Sequence, residues 1–165
     1  MSGEFFDPQL PGNLIEGAFQ SVKVVEPGGL GLGNLVIDPT KPFTIEATWE
    51  FKGPLTNLWL AALTSDWTVT AYAESVGTGP DQMLVSEAHP VADVTVDPAD
   101  PNHRTWKATL VVPAGTLPEE NPGSAVPSGV YELVVTTFLD STLGAPGYDI
   151  MGFSRGPTIK VESPV

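Results

Sequence analysis

The sequence contains no cysteine, so no disulfide framework holds it together. A zinc site would then have to be completed by carboxylates, because only His89 and His103 offer ring nitrogens. Basic residues are scarce: 7 Lys and Arg face 20 Asp and Glu, a formal net charge of -13. Such a surface repels phosphate backbones and anionic lipid, which excludes nucleic-acid binding and disfavours acidic membranes. No apolar run approaches the length of a membrane span. The N-terminal stretch Met1-Ser2-Gly3-Glu4-Phe5-Phe6-Asp7-Pro8 has neither the basic nor the apolar region of a signal peptide. The expected location is therefore cytoplasmic, with signal-independent export left open. No segment of a dozen residues carries a helical period, and no internal repeat is visible.

What is present fits one domain. The chain has 165 residues, 41% of them hydrophobic, enough to bury roughly 70% of the unfolded surface without a metal or disulfide. The 17 Gly and 17 Pro are spread between apolar runs. That is the pattern of short strands joined by turns. The acidity reads as solubility, or as a surface for a basic protein or a cation.

Residues 1–18, with four Gly or Pro breaks after Asp7, read as an irregular N-terminal arm or an edge-covering segment, and residues 19–165 as a single β-sandwich domain. Phe5 and Phe6 either dock the arm on the body or hook a neighbouring subunit. Strands are expected from Phe19 to Glu26 and, weak or bulged, from Leu30 to Ile37. The stretch Phe43 to Phe51 alternates without a fault, Phe43, Ile45, Ala47, Trp49 and Phe51 on one face and Thr44, Glu46, Thr48 and Glu50 on the other. A sheet with one buried and one wet face requires that alternation. Leu55 to Leu63 lacks a period of two and reads as a short helix or a buried connection. Further strands are expected at Trp67 to Val76, Met83 to Glu87, Val91 to Val96, Arg104 to Val112, Val130 to Leu139 and Thr158 to Glu162. The segments Pro113 to Gly129 and Ser141 to Arg155 read as long Gly/Pro loops.

The stretch Ser128-Gly129-Val130-Tyr131-Glu132-Leu133-Val134-Val135 resembles the penultimate strand of immunoglobulin-like sandwiches. In those, a Gly-x-Tyr-x-Leu pattern follows the crossing between sheets, and the Tyr hydroxyl bonds back to the main chain. The resemblance implies that role for Tyr131. Trp67, on the third strand, is similar to the core Trp of that fold. Leu133 stands where antibody-type domains carry their second cysteine, so the likeness is to the broad superfamily. It implies a fold and no function. The expected architecture is all-β: a two-sheet antiparallel sandwich, immunoglobulin-like, of about seven to nine strands with long Pro/Gly loops.

Motifs for chemistry were tested in turn. Gly152-Phe153-Ser154-Arg155-Gly156 matches the G-x-S-x-G nucleophile elbow, but no helix follows and both histidines lie upstream. Gly28-Gly29-Leu30-Gly31-Leu32-Gly33-Asn34 departs from a phosphate-cradling loop at Asn34 and lacks the helix that would follow. Asp93, Asp97, Asp100 and Asn102 are weak calcium candidates, since Asp-rich loops at sandwich ends supply the oxygens hard cations take. Asp-Pro and Asn are also ordinary turn formers. Trp49, Trp67 and Trp106 fall on apolar strand faces and read as core rather than as a sugar-stacking row. Tyr148, Met151 and Phe153, beside Arg155, read as an apolar loop tip suited to partner contact, together with Phe5 and Phe6 of the arm.

The expectation is a non-enzymatic protein-protein interaction or structural adaptor module, an accessory subunit of a larger assembly, without cofactor. Protein partners are expected, self-association is open, and nucleic acid and membrane insertion are not expected. The alternative is a carbohydrate- or calcium-binding sandwich module.

Overall fold

In a computed structural model of the chain, residues 4–7, 14–25, 35–63, 65–120, 128–141 and 149–163 are described. The side chains of Glu4 and Phe5 and the stretch 26–34, with its glycine-rich segment, lie outside that description, as does Tyr148.

Ten strands and one short helix follow in chain order: β1 Glu4–Asp7, β2 Glu16–Val25, β3 Val36–Ile37, β4 Phe43–Lys52, α1 Thr56–Ala61, β5 Trp67–Ser75, β6 Gln82–His89, β7 Thr95–Asp97, β8 Asp100–Val112, β9 Val130–Leu139 and β10 Ile150–Val161. They form an all-β sandwich. One sheet runs β1-β10-β9-β5-β6 with β3 added on β10, and the other runs β2-β4-β8-β7. Neighbours pair antiparallel except β3, which runs parallel to β10. Among the described residues no helix is long and apolar enough to cross a membrane.

The alternation of β4 is realised as expected, with Phe43, Ile45, Ala47, Trp49 and Phe51 buried. Their partners are the inward residues of β8, and Trp106 stands opposite Trp49 in register. From the other sheet Trp67 enters between them. Its ring lies 5.6 Å from that of Trp49, 5.3 Å from Trp106 and 6.1 Å from Phe51. Aromatic rings at such separations, tilted or offset, gain contact beyond their buried area.

Tyr131 is fully buried, and its hydroxyl donates to the Pro118 carbonyl at 2.9 Å. Burial raises the phenol pKa, so the hydroxyl stays a donor across the working pH range. The bond pins the connection that carries the chain from β8 in one sheet to β9 in the other. Leu117 of that connection is buried, Glu119 accepts from the Ser163 amide at 2.8 Å, and Glu120 pairs with Lys160. The connection, in its described part up to Glu120, is thus anchored on β9 and on the end of β10. Gly129, at φ +68, is required where it ends, since a Cβ there would stand 2.8 Å from the Glu120 nitrogen.

The N-terminal segment takes one of its two expected forms, and one other expectation needs correction. The N-terminal residues include an edge strand, β1, whose Phe6 is inserted between the sheets with 1% of its surface exposed. Phe6 is core, and no hook. The segment expected as a loop from Ser141 to Arg155 is strand from Ile150 onward. After Ile150 its inward positions are Gly152 and Ser154, too small to reveal an apolar face. Gly152 is small because Phe6 already fills that space: a Cβ there would lie 2.3 Å from the Phe6 ring. Smaller differences are that β2 begins at Glu16, and that only Thr95–Asp97 is strand in the region expected from Val91.

Candidate functional site

The two outer faces of the sandwich differ in chemistry. On the four-stranded sheet, the outward residues of β4 are Thr44, Glu46, Thr48 and Glu50, and Glu46 pairs with Lys107 of β8 at 3.1 Å. That face carries charged pairs and, on either side of Thr44, the exposed Val25 and Val111. The larger sheet exposes aromatic and Met side chains instead.

Strand registers build its outer face row by row. Arg155 of β10 lies beside Val134 of β9, Val134 beside Tyr72 of β5, and Tyr72 beside Met83 of β6. The next row is Phe153, Thr136, Thr70 and Ser86, two residues along β10, β9 and β5 and three along the bulged β6. In it the Thr70 and Ser86 hydroxyls share a hydrogen bond of 2.8 Å. Beyond it Met151 lies beside Phe138. The bulge between Ala71 and Tyr72 turns Met83 into line with Tyr72, and 59% of its surface is exposed. Tyr72, Phe138 and Met151 are also exposed, at 37%, 37% and 44%. Same-face rows stand about 7 Å apart along a strand and about 4.8 Å apart between strands, so these side chains form one patch.

An ion cluster closes one end of the patch. Arg155 bonds Glu132 at 2.7 Å and also Glu74, tying β10, β9 and β5 together across their outer face. The Glu132 carboxylate first, then Glu74, raises the guanidinium pKa further. Of the residues expected at a partner surface, Met151, Phe153 and Arg155 therefore share this face. They sit on a rigid strand and not on a loop tip. Phe5 pairs in register with Phe153 through its backbone. Sequence reasoning counted Tyr72 among the aromatics with binding potential without placing it, and missed Met83, Val134 and Phe138. The available signal was an aromatic at an otherwise polar parity, as in the outward series Thr68, Thr70, Tyr72 of β5.

The acidic loop forms something else. Asp97 accepts from the Ala99 amide at 2.8 Å and Asp100 from the Asn102 amide at 2.9 Å. These are side-chain-capped turns. The second oxygen of Asp97 meets His103 Nδ1 at 3.2 Å, and His103 Nε2 meets Glu50 at 2.6 Å. Asp93 is turned toward His89, 4.0 Å away. Among the described residues no group of three His or carboxylate side chains converges as a metal cage.

His103 thus bridges β7 and β4, and Gln20 and Lys52 also contact Glu50. The hydrogen bond to Glu50, then that to Asp97, holds the imidazole pKa above its ordinary 6.5. The Ala99 amide, then His103, lowers that of Asp97. A histidine pKa raised by folding contributes stability that is fully present below the unfolded value and is lost as pH rises through the folded one. The melting temperature should therefore fall as pH is raised above about 6.5, and His103→Gln should flatten that part of the profile. An unchanged slope in thermal melts of the variant would remove His103 from the cause.

The G-x-S-x-G motif is accounted for by packing. Gly152 is the notch for Phe6, and Gly156, at φ +96, lies where the register of β10 shifts against β9. Ser154 is buried and faces inward. Its register runs through Val135 and Ala71 to Val85 of β6, whereas His89 stands opposite Trp67. Three strands across and four residues along put the two roughly 20 Å apart. Trp49, Trp67 and Trp106 are buried to within 1% and present no ring to a sugar.

Together these define a class: an all-β two-sheet sandwich whose larger sheet exposes Tyr, Phe and Met side chains on its outer face. Compared with known proteins, the chain matches no protein-family model and no curated protein.

Proposed function

We propose that this chain is a non-enzymatic protein-interaction module of the immunoglobulin-like class, an accessory subunit that docks through the outer face of its larger sheet. Three features support the class. The sheet order β2-β4-β8-β7 against β10-β9-β5-β6 matches the A-B-E-D and G-F-C-C′ orders of that fold. Trp67 occupies the third of those strands as a core residue. The Tyr131 hydroxyl bonds a main-chain carbonyl upstream of its strand.

The observation that carries the function is the inequality of the two outer faces. Tyr, Phe and Met are side chains enriched in interface centres: the aromatics bury much area for few rotatable bonds, and the Met thioether adapts to the surface it meets. Here they stand in adjacent rows on a rigid sheet, so little ordering entropy is lost on docking. The occupant is a protein with an apolar patch flanked by basic residues. Glu74 and Glu132 border the patch, and the chain carries a net charge of -13, which favours encounter with a cationic surface.

The test compares the tagged chain with Tyr72→Ser/Phe138→Ser and with a control, Val111→Ser, on the opposite outer face. A partner retained at fixed stoichiometry by wild type and control, and lost by the double variant at unchanged melting temperature, is the expected result. Equal retention by all three, or recovery of nothing but further copies of the chain, would overturn the reading.

A further inference from the structure

A cleft of about 410 Å³ opens at one end of the sandwich, between α1, the loop after β6 and the start of β8. It lies away from the apolar outer face and is independent of the function proposed for that face. Its walls are Leu60 and Ala61 of α1 with Val91, Ala92 and Val94 of the loop, and its floor is Trp106. Arg104 and Asn57 are its polar groups. The volume and the mostly apolar lining, with few polar groups, fit a small-molecule site.

Arg104 is the unusual member. It pairs in register with buried Phe51, so it occupies an inward strand position at the last row of the core. Five of the seven basic side chains, Lys41, Lys52, Lys107, Arg155 and Lys160, lie against a carboxylate. Arg104 does not among the described residues. Its Nε donates to the Pro101 carbonyl at 3.0 Å and one Nη to the Asn57 amide oxygen at 2.8 Å, both neutral acceptors. These bonds fix the guanidinium plane at the cleft. The fork keeps further N–H donors, which a planar carboxylate matches. Asn57 and the Pro101 carbonyl therefore act as orienting groups for a cation that has no carboxylate against it among the described residues.

We infer that the cleft binds an amphiphilic monocarboxylate, an alkyl or aryl chain lying between Leu60 and Val91, with its carboxylate on Arg104. The net negative charge of the chain does not oppose this at physiological salt, where charges farther off than about 8 Å are screened. The Asp93 carboxylate of the same loop is turned toward His89.

The test is calorimetric titration of the full chain with octanoate and with octanol, its neutral counterpart. Octanoate should bind at least about tenfold more tightly than octanol. Arg104→Met, which keeps the aliphatic stem against Trp106, should reduce octanoate to the level of octanol and leave octanol unchanged. If that variant melts early, Arg104→Lys serves in its place. It keeps the charge without the fork and should retain only part of the preference. Saturable octanoate binding with resonance shifts at Trp106 and Leu60 supports the site. Equal affinity for the two ligands, an Arg104→Met variant that still prefers octanoate, or no octanoate binding at millimolar concentration would overturn it.

Discussion

Phe6→Ala should destabilise the domain by about 3–5 kcal/mol, although the residue lies in the first strand at a sheet edge. Its ring is 1% exposed and sits 5.1 Å from that of Phe19 and 5.3 Å, edge-on, from that of Phe51. It fills space that Gly17 and Gly152 leave open by having no side chain. A Cβ on Gly152 would meet the ring at 2.3 Å, and one on Gly17 would meet Phe51 at 2.7 Å and Phe6 at 2.9 Å. With rings on two sides, Phe6 has no direction in which to yield. Gly152→Ala should therefore cost about 1–3 kcal/mol, the ordinary penalty of overpacking. In the Phe6→Ala background the same substitution should be close to neutral, because the atoms it would strike are gone. Urea denaturation of the four proteins of this cycle measures the coupling. A Gly152→Ala penalty of the same size with and without Phe6 would show that the glycine serves the backbone instead.

Trp67→Ala is expected to cost a similar 3–5 kcal/mol, and the informative comparison is with Trp67→Phe. Trp67 is fully buried between Trp49, Trp106 and Phe51, yet its indole Nε1 has no hydrogen-bond partner among the described residues. A buried N–H left unmade costs about 1–3 kcal/mol. Phenylalanine removes that cost while keeping one ring of the packing, so Trp67→Phe should lose less than about 1.5 kcal/mol. Trp106 provides the contrast, since its Nε1 donates to the Val91 carbonyl at 3.0 Å. Trp106→Phe should cost more than Trp67→Phe, by the value of a hydrogen bond whose acceptor is left behind. Equal losses at the two positions, read from denaturation midpoints at constant slope, would mean that ring shape alone sets the cost.

The Phe6 and Trp67 results bear on function through what they leave untouched. Both residues face the core, while Tyr72, Phe138 and Met151 face outward on the same sheet. Variants of the first kind should lower stability, and variants of the second kind should lower partner retention at constant stability. The separation follows from the period of two in a strand, which assigns neighbouring residues to opposite faces.

The all-β class, the inward face of β4, the core positions of three tryptophans and the role of Tyr131 were legible in the sequence. Each rests on a local pattern: strict alternation, or a Tyr placed after a glycine turn. The hydrogen bond of Tyr131 to Pro118 follows from the same pattern once the connection crosses between sheets. What failed was the first half of β10, Ile150 to Arg155; its end, with Ile159 and Val161 inward, was expected as strand. The inward Gly152 carries no hydrophobic signal, because the apolar volume at that position is supplied by Phe6, more than a hundred residues earlier. No window along the chain contains both halves of that arrangement. The apolar outer face is of the same kind. Val134, Tyr72 and Met83 come from three strands, and only the registers of β9, β5 and β6 set them in one row. Arg104 likewise reads as the polar start of a strand until α1 and the loop after β6 enclose it. The sequence by itself determined which residues alternate and hence the class of fold. The tertiary structure decided which strands are neighbours, and with them the patch, the cleft and the use of the glycines, because those depend on contacts between residues far apart in the chain.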